Sequence, residues 1–422
     1  MNDIVSIRKI RSLLECSPEP GTSCGFGLAP GGRSSGSAEV FGEDFFFPGN
    51  RKSLAVRCGA WRSCETSQDP VTLLSAKLLK AAYDMRFSAH NRRMLPFKLI
   101  YSDDYFLPIG SHVFPAEKYR RVHDRLIATQ VAEPSDFIAP RPACDDDILL
   151  VHTAQYVQKL KTGTLSAREE LEMEVPYSPE LVRAFWLSAG GSMLAADYAL
   201  NDGIAINIGG GFHHAFPDHG EGFCMINDIA VAIRCAQRNR KIRTAMTLDC
   251  DVHQGNGTAV IFAPSHAPGN RLSGAPAAVS LADLARTRRA STDVFTISLH
   301  QENNYPAFKP PSSLDMNLPD GMGDGEYLAC LGSAFSMGLS RFRPDLLCYV
   351  AGADPYSQDQ LGGLALTIAG LKQRDALVFQ LAKAEGIPVM VTFAGGYAQK
   401  LEDTITIHSN TVAAAKEIFS SR

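Results

Sequence analysis

No Cys-x-x-Cys pair occurs among the ten cysteines of this 422-residue chain, so a zinc ribbon or a thioredoxin-like dithiol is not expected. Long apolar runs are also missing. The stretches at 345–351 and 387–394 fall well short of the roughly 18 residues that a membrane-spanning helix needs. No secretory apolar core follows the N-terminus. Neither sign of charge dominates: 41 Lys and Arg stand against 45 Asp and Glu, a net −4. That balance excludes a globally basic nucleic-acid coat and an acidic disordered tail. What is present, 45% hydrophobic and 20% charged residues, is the composition of a soluble globular protein with a sizeable core. Several cysteines sit inside apolar runs, such as Cys348 within 346–350, where a reduced thiol behaves as a small hydrophobe. A reducing compartment, cytoplasmic or nuclear, is the expectation.

Two regions differ in texture. Residues 1–95 carry 13 basic and 9 acidic residues, and positions 17–50 are crowded with Gly, Pro and Ser without a sustained period. This reads as a flexible N-terminal extension. Ile4, Ile7, Ile10, Leu13 and Leu14 fall at helical spacing with Arg8, Lys9 and Arg11 between them. An organelle-targeting helix is one reading, opposed by Asp3 and Glu15; a short amphipathic helix is the other. From 96 to 422 the chain reads as one large α/β domain. Strands are predicted at 97–101, 204–208, 244–248, 294–299, 346–351 and 388–393. Helices are predicted at 116–130, from Pro179 behind an N-cap at Ser178, and at 228–237, 325–339 and 365–384. Short apolar strands alternating with helices imply a mostly parallel sheet with helices on both faces. Residues 264–292, rich in Ala, Ser, Pro and Arg, interrupt the pattern as a surface insertion.

Chemistry-bearing residues follow four of these strands. They are Gly209-Gly210-Gly211-Phe212-His213-His214, the run Asp249-Cys250-Asp251-Val252-His253, Gly352-Ala353-Asp354, and Gly395-Gly396-Tyr397. Ligands of open α/β sheets bind beyond the carboxyl ends of the strands, so these loops should face one site. In Asp251-Val252-His253 the residues two apart point the same way and can share one ion. Carboxylate plus imidazole suits zinc, iron or a similar divalent metal. Asp354 can supply the third ligand that a catalytic site needs beside an open position. Paired histidines can divide the work of base and hydrogen-bond donor, and the Tyr397 hydroxyl suits a developing oxyanion. The glycine-rich loop is no P-loop, because no Lys-Ser/Thr follows it.

Together with Gly222-Phe223-Cys224, these motifs resemble the histone deacetylase superfamily, from about residue 101 to the C-terminus. The stretches Glu117-Lys118-Tyr119-Arg120 and Gln301-Glu302-Asn303-Asn304-Tyr305-Pro306 are similar to its class IV branch and bacterial relatives. The resemblance implies an arginase/deacetylase-like fold and zinc-dependent hydrolysis of an N-acetyl- or longer acyl-lysine amide, in histones or other proteins. It implies Asp251, His253 and Asp354 as ligands of one zinc, with iron(II) the alternative. By the same resemblance His214 is the general base and acid, and His213 its electrostatic partner, oriented by Asp249. Tyr397 is then the oxyanion donor. Phe223 and Tyr305 would wall a narrow acyl-lysine tunnel, with Gly222 and Leu361 lining it. A structural K+ or Na+ is implied near Asp249, Asp251, His253 and Ser298. Asn256 stands where some members have an aspartate behind the catalytic histidine, so a lower His214 pKa is expected than an aspartate would give. The insertion follows Phe262 in a region that elsewhere helps build a second cation site. No carboxylate stands out as the one that grips substrate backbone at the rim in some relatives.

Three other readings remain. A binuclear manganese ureohydrolase would need further bridging carboxylates, whereas Gly255 follows two after His253 and Pro355-Tyr356 follow Asp354. An acetylpolyamine amidohydrolase would use the same machinery behind a smaller, more acidic mouth. An inactive acyl-lysine-binding scaffold would show a lost ligand or tyrosine. The expected partner is an acylated lysine, without sequence-specific nucleic-acid binding, and the sequence leaves the oligomeric state open.

Overall fold

The computed structural model describes residues 95–263 and 293–420. The extension expected over 1–95 lies, but for Leu95, outside the described residues, as does the insertion expected at 264–292. Among the described residues eight strands form one sheet: β1 (Lys98–Ile100), β2 (Phe137–Ile138), β3 (Ile204–Asn207), β4 (Ala245–Asp249), β5 (Val294–Gln301), β6 (Leu314–Leu318), β7 (Leu346–Val350) and β8 (Val389–Thr392). Ten α-helices accompany them among the described residues. In the first half these are α1 (Lys118–Ala128), α2 (Asp145–Ile148), α3 (Ala154–Thr162), α4 (Ala167–Met173), α5 (Pro179–Asp202) and α6 (Asp228–Arg238). The second half adds α7 (Asn256–Ile261), α8 (Asp324–Arg341), α9 (Ile368–Ala384) and α10 (Leu401–Phe419).

The strand order is β2-β1-β3-β8-β7-β4-β5-β6, and every pair is parallel. Every residue of β3, β4, β7 and β8 is buried, as expected for parallel strands covered on both faces. Side chains alternate between the covering layers. Leu346, Cys348 and Val350 of β7 join Ile229 and Ile233 of α6 on one face. Leu347 and Tyr349 join Val378 and Phe379 of α9 on the other. Helix α5 begins as its sequence signals: the Ser178 hydroxyl accepts from Leu181 N at 3.0 Å and Pro179 takes the first turn.

The predicted central strands and the helices at 116–130, 228–237, 325–339 and 365–384 are present, with ends shifted by up to about three residues. Two edge strands, β2 and β6, the short helices α2, α3 and α4, and the terminal helix α10 lie outside the predicted elements. β2 has only two residues. β6 follows Pro310-Pro311-Ser312-Ser313, which reads as a loop. In α10 the β-branched Ile405-Thr406-Ile407 and the buried polar Thr404, His408, Ser409 and Thr411 hide the apolar stripe of a covering helix.

Candidate active site

The four loops come from β3, β8, β7 and β4, which are consecutive in the sheet, so their carboxyl ends meet. Backbone bonds lock them together. Cys250 N donates to Val350 O at 3.0 Å, Ala353 N to Gly395 O at 2.9 Å, and Ala394 N to Gly210 O at 3.3 Å. Gly211 has φ +87°, and a Cβ there would lie 2.6 Å from the Ala394 backbone. Only glycine lets the histidine loop close on the tyrosine loop.

Asp251, His253 and Asp354 converge, each buried, with one ligand atom apiece within 4.8 Å of the others. Asp251 Oδ2 accepts from Gly395 N at 2.9 Å, and Asp354 Oδ1 accepts from Val252 N at 2.9 Å. Asp354 Oδ2, fully buried, has no hydrogen bond; His253 Nδ1 lies 3.5 Å from it and 3.1 Å from Asp251 Oδ1. Burial and the Asp251 charge raise the Asp354 carboxyl to about 7. Burial pushes Asp251 the same way, but His213 and His253 outweigh it and hold that carboxyl well below the usual range. Against burial, Asp251 and Asp354 raise His253 to about 10. Two carboxylates and an imidazole around an orphaned carboxylate oxygen fit a divalent cation, because buried anionic oxygen without a partner is costly.

The histidine pair stands beside this tripod. His213 Nδ1 meets Asp249 Oδ2 at 2.7 Å, and His213 Nε2 lies 3.8 Å from Asp251 Oδ1. His214 Nδ1 meets Asn256 Oδ1 at 2.7 Å, and the two Nε2 atoms are 3.1 Å apart. Burial opposes charge on His213, but Asp249 and Asp251 win and raise it to about 9. Burial and the neighbouring His213 and His253 hold His214 well below the usual imidazole range, while the Asn256 bond acts in the opposite direction. Burial and the two neighbouring histidines, not Asn256, therefore keep His214 uncharged and ready to accept a proton.

Aromatic rings enclose the opening. Tyr397 lies 6.4 Å from the His253 ring and 5.9 Å from Phe223; Tyr305 lies 5.0 Å from His214 and 6.2 Å from His253. A Cβ on Gly222 would fall 2.9 Å from His214 and 3.0 Å from Tyr305, so glycine leaves the wall its clearance. The Leu361 carbonyl accepts from Asn304 Nδ2 at 2.8 Å, which ties the segment after β7 to the loop that carries Tyr305. Burial and the charges of Asp354 and Asp251 push the Tyr397 phenol well up, so it stays a hydrogen-bond donor. Ser298 is the cross-strand neighbour of Asp249.

Four residues here were given no role from the sequence. Asp359 accepts from Tyr397 N at 2.7 Å and from Leu361 N at 2.8 Å, tying the tyrosine loop to the segment that carries Leu361. Buried Arg374 donates to Gly352 O at 2.6 Å and Cys250 O at 3.2 Å, behind the loops that carry Asp354 and Asp251. Lys118 is buried and donates to Ala394 O at 2.5 Å; burial lowers it to about 8 although Asp354 and Asp251 oppose this. Glu221 accepts from Asn256 Nδ2 at 3.0 Å. Glu221 and Asp359 had a sequence signal as carboxylates close to predicted wall residues Gly222 and Leu361, and Lys118 as a member of the 117–120 stretch.

A sequence profile of the histone deacetylase domain matches residues 112–412. An uncharacterized protein of Picosynechococcus sp. is 36% identical over 76% of this chain and 99% of its own length. Histone deacetylase 2 of Arabidopsis thaliana is 31% identical over 71% of the chain and 74% of its own length. A histone deacetylase-like amidohydrolase of Pseudomonas aeruginosa is 27% identical over 69% and 77%. The crystal structure of a histone deacetylase homologue complexed with SAHA superposes with a TM-score of 0.59 over 77% of this chain and 88% of that one, at 23% identity, a likeness of fold. The profile spans all four loops around Asp251, His253 and Asp354, and the chain belongs to the histone deacetylase family.

Proposed function

We propose that the chain is a zinc-dependent deacylase that hydrolyses the amide of an acylated lysine side chain. The observation that carries this reading is the orphaned Asp354 Oδ2 within the Asp251–His253–Asp354 tripod, beside His214 and Tyr397. A divalent ion held there supplies Lewis acidity to the amide carbonyl and to the attacking water. The tetrahedral, three-ligand preference of catalytic zinc fits this donor set. His214, neutral and hydrogen-bonded through Nδ1, takes a proton at Nε2 and returns it to the leaving amine. His213, charged and held by Asp249, fixes the orientation of the pair. Tyr397 donates its hydroxyl hydrogen to the carbonyl oxygen as that atom gains charge. Phe223 and Tyr305 guide an extended aliphatic stem and exclude water from its flanks. We assign the structural monovalent cation near Asp249, Asp251, His253 and Ser298, and the catalytic domain to residues 96–422. A second reading, an acetylpolyamine amidohydrolase, draws on the negative charge of Glu174 and Glu221 near the opening, since each raises the proton affinity of the Tyr305 phenol once burial has done so.

Metal analysis combined with acetate- and acyl-release assays on acetyl-lysine peptides, long-acyl-lysine peptides and acetylated polyamines tests the reading. One zinc per chain and turnover of a lysine substrate are expected, both lost in Asp354→Ala. Turnover restricted to polyamines selects the second reading. A fully active Asp354→Ala protein removes the tripod from the mechanism.

A further inference from the structure

His214 rests on Asn256, a neutral residue, yet the chain of bonds does not stop there. Asn256 is 2% exposed, and its amide is spoken for on both sides. Oδ1 accepts from Gly257 N at 3.0 Å and faces His214 Nδ1 at 2.7 Å. Nδ2 donates to Glu221 Oε2 at 3.0 Å. A carboxylate can only accept here, so the amide nitrogen must face Glu221 and the amide oxygen must face the imidazole. The imidazole therefore carries its hydrogen on Nδ1, which leaves the Nε2 lone pair on the reacting side.

Glu221 is rigidly placed for this task. Its N–H donates to Cys224 O at 3.1 Å, and Cys224 N returns a bond to Glu221 O at 2.9 Å. The next residues, Gly222 and Phe223, have φ of +51° and +68°, and Phe223 N is tied to Met173 O at 3.0 Å. The same tight turn thus builds the aromatic wall and aims the carboxylate inward at Asn256.

We propose that Glu221 is a positioning residue for the acid–base histidine, the anionic end of a Glu221–Asn256–His214 relay that fixes the His214 tautomer and places negative charge one residue further out than a direct aspartate would. The inference rests on the deacylase reading of the same site. It makes the Asn256 substitution part of a two-residue arrangement: an aspartate at 256 would face the Glu221 carboxylate with no hydrogen between them, unless residue 221 became a donor.

The test is a double-mutant cycle on the full zinc-loaded chain with Glu221→Gln, Asn256→Asp and the pair together. Each protein is assayed for kcat and KM on an uncharged acetyl-lysine substrate, for zinc content, and for the His214 tautomer by 15N NMR of ring-labelled histidine. Glu221→Gln should lower kcat about tenfold with KM and zinc unchanged, within the range of couplings seen in one hydrogen-bond network. Asn256→Asp alone should lose more, and the double variant should recover to within about threefold of wild type. In the NMR, His214 should be Nδ1-protonated in the wild type and tautomerically mixed in Glu221→Gln. A merely structural brace predicts losses that add, with no recovery. Additive losses, or an unchanged His214 tautomer in Glu221→Gln, overturn the relay. Because the tautomer is read without turnover, a wild type that binds zinc but releases no acyl group defeats the deacylase reading and still leaves the relay decided.

Discussion

A single methyl group placed at Gly395 should abolish metal binding without unfolding the protein. Gly395 N donates to Asp251 Oδ2 at 2.9 Å. A Cβ on this residue would lie 1.9 Å from Asp354 Oδ2 and 2.6 Å from Asp251 Oδ2. Ordinary contact begins near 3.4 Å, so the Asp354 oxygen must retreat by about 1.5 Å, several times the roughly 0.2 Å within which metal–ligand distances are held. The backbone φ of Gly395 is not in the left-handed region, so the penalty in Gly395→Ala is one of space rather than of backbone strain. The Asp354 carboxylate is the softer partner, because its Oδ2 has no hydrogen bond to keep it in place. Rotation of that carboxylate relieves the clash and removes a ligand. The expected result is a loss of zinc affinity of at least about a hundredfold, at the upper end of what displaced supporting groups cost, with an overpacking penalty of about 1–3 kcal/mol. Gly332→Ala, within α8 with nothing within 4 Å of its Cβ, is the control and should bind zinc normally. Chelator competition and calorimetric melting measure the two quantities. Zinc affinity in Gly395→Ala within threefold of wild type would refute the placement of Asp354 and with it the tripod geometry.

Tyr397→Phe should retain zinc but lose about two to three orders of magnitude in kcat, as for removal of one oxyanion donor; acetate-release kinetics with metal analysis check this, and an unchanged kcat refutes the role. Burial lowers His152 to about 4, where its Nδ1 meets Phe216 O at 2.9 Å and Nε2 accepts from Asn227 N at 3.0 Å. The unfolded chain protonates this group near 6.5 while the folded chain does not, so its contribution is full above 6.5 and fades as pH falls toward 4. That fall is worth about 3 kcal/mol; urea melts across this range should be flatter for His152→Gln, and parallel curves would refute it.

The sequence made the central sheet and the reactive loops legible because each strand there is a short, continuous apolar run ending in glycine and acid or histidine. Its periphery was less legible. β6 carries Asp315 and Asn317 between apolar residues behind a proline-rich entry, and α10 buries polar side chains on the face that covers the sheet. The Asp251-Val252-His253 spacing is a weak signal by itself, because the third member of the cluster lies 101 positions beyond His253 and only the convergence of the strand-end loops brings it in. Arg374 left no trace and Lys118 showed only as a member of the 117–120 stretch, without a role, since a basic residue in a helix ordinarily reads as a solvated face. Both are fully buried and occupied with backbone carbonyls.

Strand order explains why loops so distant in sequence cooperate. In the chain the site-bearing strands run β3, β4, β7, β8, but in the sheet they lie side by side as β3-β8-β7-β4. The last strand to be made, carrying Gly395 and Tyr397, therefore inserts between the histidine loop and the Asp354 loop. There its backbone supplies contacts to both: Ala394 N donates to Gly210 O and Gly395 O accepts from Ala353 N, while Gly395 N reaches past the Asp354 loop to Asp251 in the loop after β4. Against an open edge the arrangement would loosen, because the Asp354 loop would lose an acceptor, the Asp251 carboxylate a donor and the triple-glycine loop its stop. Metal affinity should thus depend on docking of β8 even though β8 and its loop contribute no ligand. The glycine at 395 is where that dependence is sharpest, which makes the methyl-group experiment a test of the sheet's order as much as of the ion's ligands.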